Sequence, residues 1–302
     1  MSNCGIVDVG SNTIRLSIYQ YDRTGFKLLL GKKETAGLAG YVDDGILSSE
    51  GIQLAAGILG RFRALADNLD VRPFYVFATA SLRNISNTDE AVDAIQAAAG
   101  VPVHIITGSE EAILSFRGAL FGRPVPLERG LLVDIGGGST ELVAYEGEHI
   151  YTGVSLPLGS LSLFTQHVSG LFPTGDEARS IRRHVQKALD KAEDLSCSHL
   201  RGVGGTIRAA AKLCGHTPGQ ILSSEKLRDL YRQLKKGDQT TLRRILQGSP
   251  ERVHTILPGL IILNVILKRY GIETVDVSTQ GVREGYLLTY VIGEGDPRVQ
   301  GK

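Results

Sequence analysis

Two short segments place an Asp and then a glycine at the point where an apolar strand ends. One is "VDVGSNTIRL" around Asp8, and the other is "LLVDIGGGSTELV" around Asp134. Glycine has no Cβ, so the backbone can turn tightly and bring its N–H groups close to an anion such as phosphate. An Asp at such a strand end can hold a hard cation such as Mg²⁺. Each segment therefore predicts a phosphate-binding loop, with a glycine-rich β-hairpin as the purely structural alternative.

The two segments follow one pattern: apolar strand, Asp-x-Gly, small polar turn, and a second alternating strand. Two copies indicate a duplicated domain, because solenoids need more repeats. Two similar lobes could each direct one loop at the same ligand. The aligned positions are Asp8 with Asp134, Gly10 with Gly136, Thr13 with Ser139, Arg15 with Glu141 and Tyr19 with Tyr145.

Two further segments carry side chains suited to phosphate chemistry. In "ITGSEEAILSF" the sequence predicts Ser109 as a helix N-cap, with Glu110 and Glu111 in the first turn. Acids there stabilise the helix dipole, although one could instead orient and deprotonate a water molecule. In "ATASLRNISN" Arg83 follows a buried strand and could grip phosphate oxygens, with a cap or salt bridge as the alternative. The turn "GVGGT", with Gly205 and Thr206, is a weak ligand signal.

Several well-known site patterns are absent from the sequence. It contains no G-x-x-x-x-G-K-[ST], no G-x-S-x-G, no H-E-x-x-H and no paired-cysteine zinc pattern. The remaining chemistry is therefore that of carboxylates, arginine and glycine-rich loops.

Composition narrows the class of protein. A chain of 302 residues with 42% hydrophobic content is expected to form two globular domains. Its three cysteines lack metal-type spacing and, with no apparent signal peptide or membrane-spanning run, favour the cytoplasm. Net charge is only +1, but residues 179–252 hold sixteen Lys/Arg against seven Asp/Glu. That excess is either a basic wall for a polyanion or the solvated faces of surface helices.

Strand-like and helix-like patterns alternate, which predicts an α/β fold with helices covering a sheet in each half. "FGRPVPLERG" (121–130) is the predicted linker between the halves. Predicted strands lie at about 3–9, 14–21, 26–34, 74–79, 103–106, 130–136, 140–146, 149–157, 200–204 and 274–278; predicted helices lie at about 49–69, 89–99, from 109, 159–168, 175–195, 206–214, 224–235, 239–247, 251–269 and 282–292.

The ordered set "VDVGSNTIRL", "ATASLRNISN", "TGSEEAILSFRGAL", "LLVDIGGGSTELV", "VGGTIRA" and "VSTQGVREGYLL" resembles the exopolyphosphatase/guanosine pentaphosphate phosphohydrolase family. The resemblance implies the short two-domain form of that family. It implies two duplicated ribonuclease-H-like domains of the actin-like, sugar-kinase-like and chaperone-ATPase superfold, flanking a cleft. We place these domains at residues 1–122 and 123–302, with the last helix (about 282–302) packing back on the first domain.

The resemblance also implies Mg²⁺-dependent release of the terminal phosphate of polyphosphate or guanosine pentaphosphate. By motif position, Glu111 matches the catalytic base, and Glu141 matches an acidic position that serves both water and metal. Asp8 and Asp134 complete the implied metal set. The implied phosphate-binding residues are Gly10, Ser11, Asn12, Thr13, Arg15, Arg83, Gly136, Gly137, Gly138, Ser139, Gly205 and Thr206.

One segment departs from the family pattern. Where members often carry Arg-Leu-Gly-x-Gly after the third strand, this sequence reads "TAGLAGYVDDG" (35–45), so the Arg of that pattern and its cationic phosphate contact are absent. Two alternatives stay open: an ATP-dependent phosphotransferase of the same superfold, and a non-catalytic nucleotide sensor in which Glu110 and Glu111 only cap a helix. No nucleic-acid or membrane partner is expected, and a homodimer stays open.

Overall fold

A computed structural model describes residues 1–122, 129–192, 197–216 and 220–293. It contains two compact units, one of Met1–Glu110 with Gly285–Lys302 and one of Glu111–Glu284. Packing thus divides the chain after Glu110, where the sequence suggested a boundary after residue 122. The physical reason is that one continuous helix crosses this point, and its later residues pack into the core of the second unit. The predicted linker falls largely on residues 123–128, which lie outside the described residues.

The first unit begins with three consecutive strands and then alternates helices with strands. Its elements are β1 (Ser2–Val9), β2 (Thr13–Asp22), β3 (Gly25–Thr35), β4 (Val42–Asp43), β5 (Ile46–Leu47), α1 (Ser49–Asn68), β6 (Phe74–Ala78), α2 (Ala80–Arg83), α3 (Thr88–Ala99), β7 (Val103–Ile105) and the first turn of α4 (Gly108–Leu120).

The sheet of the first unit has the order β3-β2-β1-β6-β7. Strands β1, β2 and β3 form an antiparallel meander, whereas β6 and β7 run parallel to β1. Helix α1 is capped by Ser48, whose side chain accepts a hydrogen bond from the Gly51 N–H. Its apolar face, with Ile58 and Phe62 fully buried, packs on the sheet and closes this core.

The second unit repeats this order of elements and adds helices. Its elements are the rest of α4, then β8 (Arg129–Ile135), β9 (Thr140–Glu146), β10 (His149–Leu156), α5 (Ser160–His167), α6 (Gly175–Leu189), β11 (His199–Val203), α7 (Gly204–Leu213), β12 (Ile221–Ser223), α8 (Ser224–Leu234), α9 (Gln239–Gly248), α10 (Ile256–Arg269), β13 (Thr274–Val277) and the start of α11 (Val282–Tyr286).

The second sheet has the order β10-β9-β8-β11-β13-β12. Its first five strands match those of the first sheet in order and direction, and β12 adds an antiparallel edge. Helix α10 is apolar on nearly every side and is buried between the sheet and the helices α5 to α8. The shared strand order supports the predicted duplication, and in both sheets the Asp-x-Gly turn joins the central strand to its antiparallel neighbour.

Candidate active site

The two Asp-x-Gly turns have the same backbone geometry. In the first hairpin (β1–β2) the Gly10 N–H donates to the Thr13 carbonyl at 3.1 Å. In the second hairpin (β8–β9) the Gly136 N–H donates to the Ser139 carbonyl at 2.9 Å. The pairing derived from sequence alignment is therefore also a structural equivalence.

The hairpins differ in the charge of one cross-strand pair. Asp8 pairs with Arg15 across the first hairpin, and Asp134 pairs with Glu141 across the second. Residues paired in this way project from the same face of the sheet with Cβ atoms about 5 Å apart. The first pair therefore joins opposite charges, whereas the second joins two acids, which repel each other unless a proton or a cation intervenes.

The glycine loop, Gly136–Gly138, is held from behind by helix α5. The first amides of that helix donate to the carbonyls of Gly136 and Gly137, and the Ser160 hydroxyl also donates to the Gly136 carbonyl. Gly159 lies so close to the loop that a Cβ there would overlap the Gly137 carbonyl. In the described chain, the N–H groups of Gly137 and Gly138 have no hydrogen-bond partner. The loop thus presents amide donors while its carbonyls are occupied, which is the arrangement that binds phosphate.

Adjacent acids at the start of α4 have separate roles. The cap of this helix is Thr107 and not the predicted Ser109: the Glu110 N–H donates to the Thr107 hydroxyl, and the Thr107 N–H donates to a Glu110 carboxylate oxygen. Of the two adjacent acids, Glu110 is the one that takes part in the cap. Glu111 is only 7% exposed, so a solvated helix-cap role does not explain it.

Three carboxylates of the second unit, Glu111, Asp134 and Glu141, form an acid cluster. Burial raises the pKa of Glu141 well above its usual range, and the charges of Glu111 and Asp134 raise it further. The Ser155 hydroxyl donates to Glu141 at 2.8 Å and opposes this shift in pKa. Glu141 is 1% exposed, so its charge cannot be stabilised by bulk water. The cluster is therefore suited to take up either a proton or a cation.

Asp134 lies near the carboxyl end of β8, the strand between β9 and β11 in the second sheet. Burial raises its pKa, while a 2.6 Å hydrogen bond from the Ser115 hydroxyl and the charge of Arg208 lower it. Burial in turn lowers the pKa of Arg208 to about 10. Gly204 has a φ of +88°, and a Cβ at this position would overlap the Asp134 carboxylate. Glycine is thus required where α7 begins beside this acid.

The N-terminus of α7 carries Gly205 and Thr206, both predicted from "GVGGT". The Arg252 guanidinium lies directly over Gly205, where any side chain would displace it. The Thr206 hydroxyl is fully buried and has no hydrogen-bond partner in the described part of the chain. An unsatisfied buried hydroxyl is costly, so its position at a helix N-terminus beside the acid cluster is consistent with a ligand contact.

The first hairpin's turn is also built to leave donors available. The segment 35–45, which lacks the Arg of the family pattern, holds this turn in place. The amides of Ala36 and Gly37 donate to the Asn12 carbonyl, and the Ala39 amide donates to the Ser11 carbonyl. The Asn12 side chain is 8% exposed, and its amide nitrogen has no partner among the described residues. The turn therefore offers the buried Asn12 amide as a side-chain donor.

Arg83 ends helix α2, which follows β6 in the first unit. Its guanidinium donates to the Ile106 carbonyl at 2.9 Å, where β7 ends. The Ser81 hydroxyl, two residues earlier, donates to the Val9 carbonyl next to the first turn. The structure thus places Arg83 at the carboxyl ends of the first unit's parallel strands, as the sequence predicted for a ligand edge.

The carboxylates of the site could bind a divalent cation, although they do not form a complete metal site by themselves. Among the described residues, no three His, Cys, Asp or Glu side chains converge as a preformed metal site. Mg²⁺ commonly binds through one or two carboxylates together with water and substrate phosphates. Asp134 and Glu141, paired across the hairpin and mutually repelling, match that mode of binding.

Several residues at this site were not found from sequence. Ser115 follows Glu111 by one helical turn, so the spacing of four residues could have placed both on one face of α4. Ser155 lies opposite Glu141 in the β9–β10 register, which needs the strand pairing to be known. Arg208 and Arg252 come to the site through the packing of α7 against its neighbours, for which the sequence has no local signal.

Comparison with known proteins places these features in a family context. The model of the "Ppx/GppA phosphatase family" matches residues 17–292 of this chain. Exopolyphosphatase 1 of Mycobacterium leprae is 25% identical, with 97% of this chain and 90% of that protein aligned. A guanosine-5'-triphosphate,3'-diphosphate pyrophosphatase of Vibrio cholerae is also 25% identical, and the match covers 94% of this chain and 58% of that longer protein.

The fold has a clear counterpart among solved structures. An exopolyphosphatase from Cytophaga hutchinsonii matches with a TM-score of 0.87 and 24% identity, covering 97% of this chain and 98% of the other. The predicted α/β fold with two duplicated domains is therefore confirmed. In the described residues, we find no helix with the length and apolar character needed to span a membrane.

Proposed function

This chain belongs to the Ppx/GppA phosphatase family and is a phosphoanhydride hydrolase, and we propose that it releases the terminal phosphate of inorganic polyphosphate or of guanosine pentaphosphate. The observation that carries the proposal is the buried acid cluster beside a glycine loop whose amides are available. Such amides bind phosphate oxygens, and a carboxylate beside them can activate water.

Substrate binding is assigned to backbone amides and buried polar side chains. In the second unit these are Gly137, Gly138, Ser139 and the N-terminus of α7 with Gly205 and Thr206. These groups bind the charged phosphate through N–H and hydroxyl groups and not through flexible cationic side chains. The loop amides are preorganised because α5 fixes the loop. In the first unit, we assign phosphate binding to the turn from Gly10 to Thr13 and to the guanidinium of Arg83.

Proton transfer is assigned to Glu111. Its carboxylate is buried next to Glu141 and is not needed to cap α4. Glu111 accepts the proton of the attacking water, while Glu141, held by Ser155, orients that water. Asp134 is fixed by Ser115 and keeps its carboxylate at the strand end.

Divalent metal dependence is part of the proposal. Mg²⁺ bound by Asp134 and Glu141 would neutralise the negative charge that builds on the phosphate oxygens, and Asp8 is the corresponding candidate ligand on the first hairpin. The protein's own contribution is to hold Asp134 and Glu141 through the hydroxyls of Ser115 and Ser155, which support a carboxylate without neutralising its charge. Burial raises the pKa of both acids, and a cation between them would offset the cost of ionising them there.

The test is phosphate release from tripolyphosphate, guanosine pentaphosphate and ATP, each with and without Mg²⁺. General-base loss lowers turnover by about 10²–10⁴-fold, so we expect Glu111→Gln to fall in that range for the preferred substrate. Glu110→Gln is the matched control, because it removes the neighbouring acid of the same helix. It should weaken the cap and leave turnover near that of the wild type.

Three outcomes would contradict the assignment. Equal turnover in Glu111→Gln and the wild type would remove Glu111 from the mechanism. Phosphate transfer from ATP to an acceptor would indicate a phosphotransferase instead. Binding of a guanosine polyphosphate without phosphate release would indicate a sensor. Relative turnover of tripolyphosphate and guanosine pentaphosphate decides between the two proposed substrates.

We also propose a cytoplasmic location. The cysteines Cys4, Cys197 and Cys214 are free thiols, which is usual in a reducing compartment. Burial raises the pKa of Cys4 to about 12 and that of Cys197 to about 11, so both are unreactive. The substrate is the only partner that the proposed chemistry requires; nucleic acid and membrane are not proposed as partners, and size measurement in solution decides whether a homodimer forms.

A further inference from the structure

The second unit contains a large cavity in the wall formed by helices α6, α8 and α10. Its volume is about 760 Å³, which is within the range of small-molecule sites. Each helix contributes residues spaced three or four apart, so that one face of each turns toward the cavity. This regular lining shows that the cavity is a property of the helix packing.

The lining of this basic cavity is strongly positive. Five cationic side chains face a single carboxylate, that of Asp190. Asp190 pairs with only one of them, Arg269, at 3.2 Å. The cationic residues are Arg182, Arg228, Arg232, Lys268 and Arg269.

Most of this positive charge is not neutralised inside the cavity. In the described residues, neither Arg182 nor Lys268 has an ion-pair partner, and both are exposed. Arg232 pairs at 2.7 Å with Asp229, a partly exposed residue outside the lining. The cavity therefore concentrates positive charge in a concave site, which favours an anion over water.

The inner surface of the cavity is apolar. It is formed by Leu189, Tyr231 and Val265, of which the first two are buried. Beside them, the Asn264 side chain donates its amide N–H to the Leu260 carbonyl at 2.7 Å, which leaves its amide oxygen as an acceptor. A cationic rim over an apolar floor with one amide suits a ligand that combines linked phosphates with a flat ring.

The basic cavity is separate from the acid cluster. The early part of α10 packs at the candidate active site, where a Cβ on Gly259 would overlap Thr206. The cavity is lined by the last turns of the same helix, from Asn264 to Arg269. At 1.5 Å per residue, Gly259 and Lys268 are roughly 13 Å apart along the helix axis. A ligand in the cavity would therefore leave the glycine loop free.

We propose that the basic cavity is a second binding site for a phosphorylated small molecule. The shared chemistry is a run of linked phosphates bound by Arg182, Arg228 and Lys268. The ligand's source is either a nucleoside polyphosphate, whose base would lie on Tyr231 and Val265, or a short inorganic polyphosphate, which would use the cationic rim alone. The proposal goes beyond the proposed hydrolysis, because binding here breaks no bond and does not involve the acid cluster.

Calorimetric titration with inorganic tripolyphosphate and with GTP tests the site. The full chain would carry Glu111→Gln in every sample, so that neither probe is consumed. Arg182→Ala with Lys268→Ala removes two lining charges, and Arg183→Ala with Lys187→Ala removes two exposed charges of α6 that do not line the cavity. Alanine favours helix, so all of these variants should fold, and thermal melting checks this.

We expect the lining variant to lose one binding event or to weaken it by ~10-fold or more, which corresponds to ~1.4 kcal/mol. The control variant should keep it. Tighter binding of GTP than of tripolyphosphate would assign the cavity to a nucleotide, and equal or weaker binding would assign it to an inorganic chain. Unchanged binding in the lining variant, or an equal loss in the control, would overturn the proposal. Cavity binding without phosphate release by the wild type would count against the proposed function alone.

Discussion

The substitution Glu141→Gln should make the ligand-free protein more stable while it removes activity. In the wild type, Glu141 is buried opposite Asp134 and close to Glu111, and burial together with these charges raises its pKa. Glutamine has nearly the same shape, and its amide oxygen can still accept the hydrogen bond from Ser155. Its amide N–H can donate to a neighbouring carboxylate. The exchange therefore removes repulsion and desolvation while it keeps the packing.

The size of this effect follows from Coulomb's law. Two carboxylates about 6 Å apart repel by roughly 3 kcal/mol at an effective dielectric constant of about 20. Protonation of Glu141 in the wild type relieves part of that repulsion, so we expect a gain of about 1–2 kcal/mol in the free energy of unfolding near neutral pH. For a unit of this size, about 1 kcal/mol shifts Tm by roughly 2–4 °C.

The gain should depend on pH in a defined direction. A buried acid with a raised pKa binds its proton more tightly in the folded state than in the unfolded state. Wild-type stability therefore falls as pH rises from the unfolded pKa of about 4.3 toward the raised folded pKa. Glutamine has no proton to lose, so the variant lacks this contribution. The two proteins should be similar near pH 4 and differ increasingly above it.

Thermal and urea unfolding across pH 4–9, with and without Mg²⁺, measure these quantities. Glu146→Gln is the matched control: this exposed acid lies on the same strand, and hydrogen bonds from Tyr151 and Arg129 lower its pKa. Its loss should slightly destabilise the protein above pH 4, which is the opposite sign. Mg²⁺ should raise the Tm of the wild type more than that of Glu141→Gln. A Glu141→Gln variant that is less stable than wild type at pH 8 would refute the reasoning.

Three other substitutions probe different parts of the second unit. Thr206→Val replaces a buried, unpartnered hydroxyl, so Tm should hold or rise while KM for tripolyphosphate increases by about 5–10-fold, as steady-state kinetics would show. Gly159→Ala would push its methyl group into the Gly137 carbonyl; phosphate release should fall by at least ~10-fold, and wild-type turnover would exclude a binding role for the glycine loop. Asp276→Ala leaves Arg201 buried without its 3.0 Å partner and should lower the free energy of unfolding by about 3–5 kcal/mol in urea, whereas Arg201→Met with Asp276→Leu should recover most of it.

The repeated turns could be predicted because their signal is local. Asp-x-Gly followed by alternating residues specifies a strand, a tight turn and a second strand, and the observed registers of Asp8 with Arg15 and Asp134 with Glu141 follow directly. Strands β1, β2, β8 and β9 accordingly begin and end close to their predicted bounds. Because the hairpin is local, its sequence is also enough to pair Asp134 with Glu141, two of the three acids in the cluster.

Features that depend on tertiary packing were missed. Strand β12 has only three residues and exists because β13 offers it an edge, so no periodic pattern announces it. The predicted helix 251–269 is a short 3₁₀ turn followed by α10, which begins at Ile256. The sequence does not decide between Thr107 and Ser109 as the cap of α4, because either residue type can cap a helix. The structure uses Thr107, and Glu110 lies three residues after it.

The two Asp-x-Gly hairpins show how little has to change for a repeated element to gain a new role. Both close with the same amide-to-carbonyl bond, so neither turn owes its shape to the side chains at positions 15 and 141. With a base at residue 15, the first copy is electrically balanced and can serve as a fixed frame. With an acid at residue 141, the second copy is held in an unbalanced state that only an incoming positive charge or a proton relieves. The same hairpin architecture thus carries a balanced pair of charges in one copy and an unbalanced pair in the other.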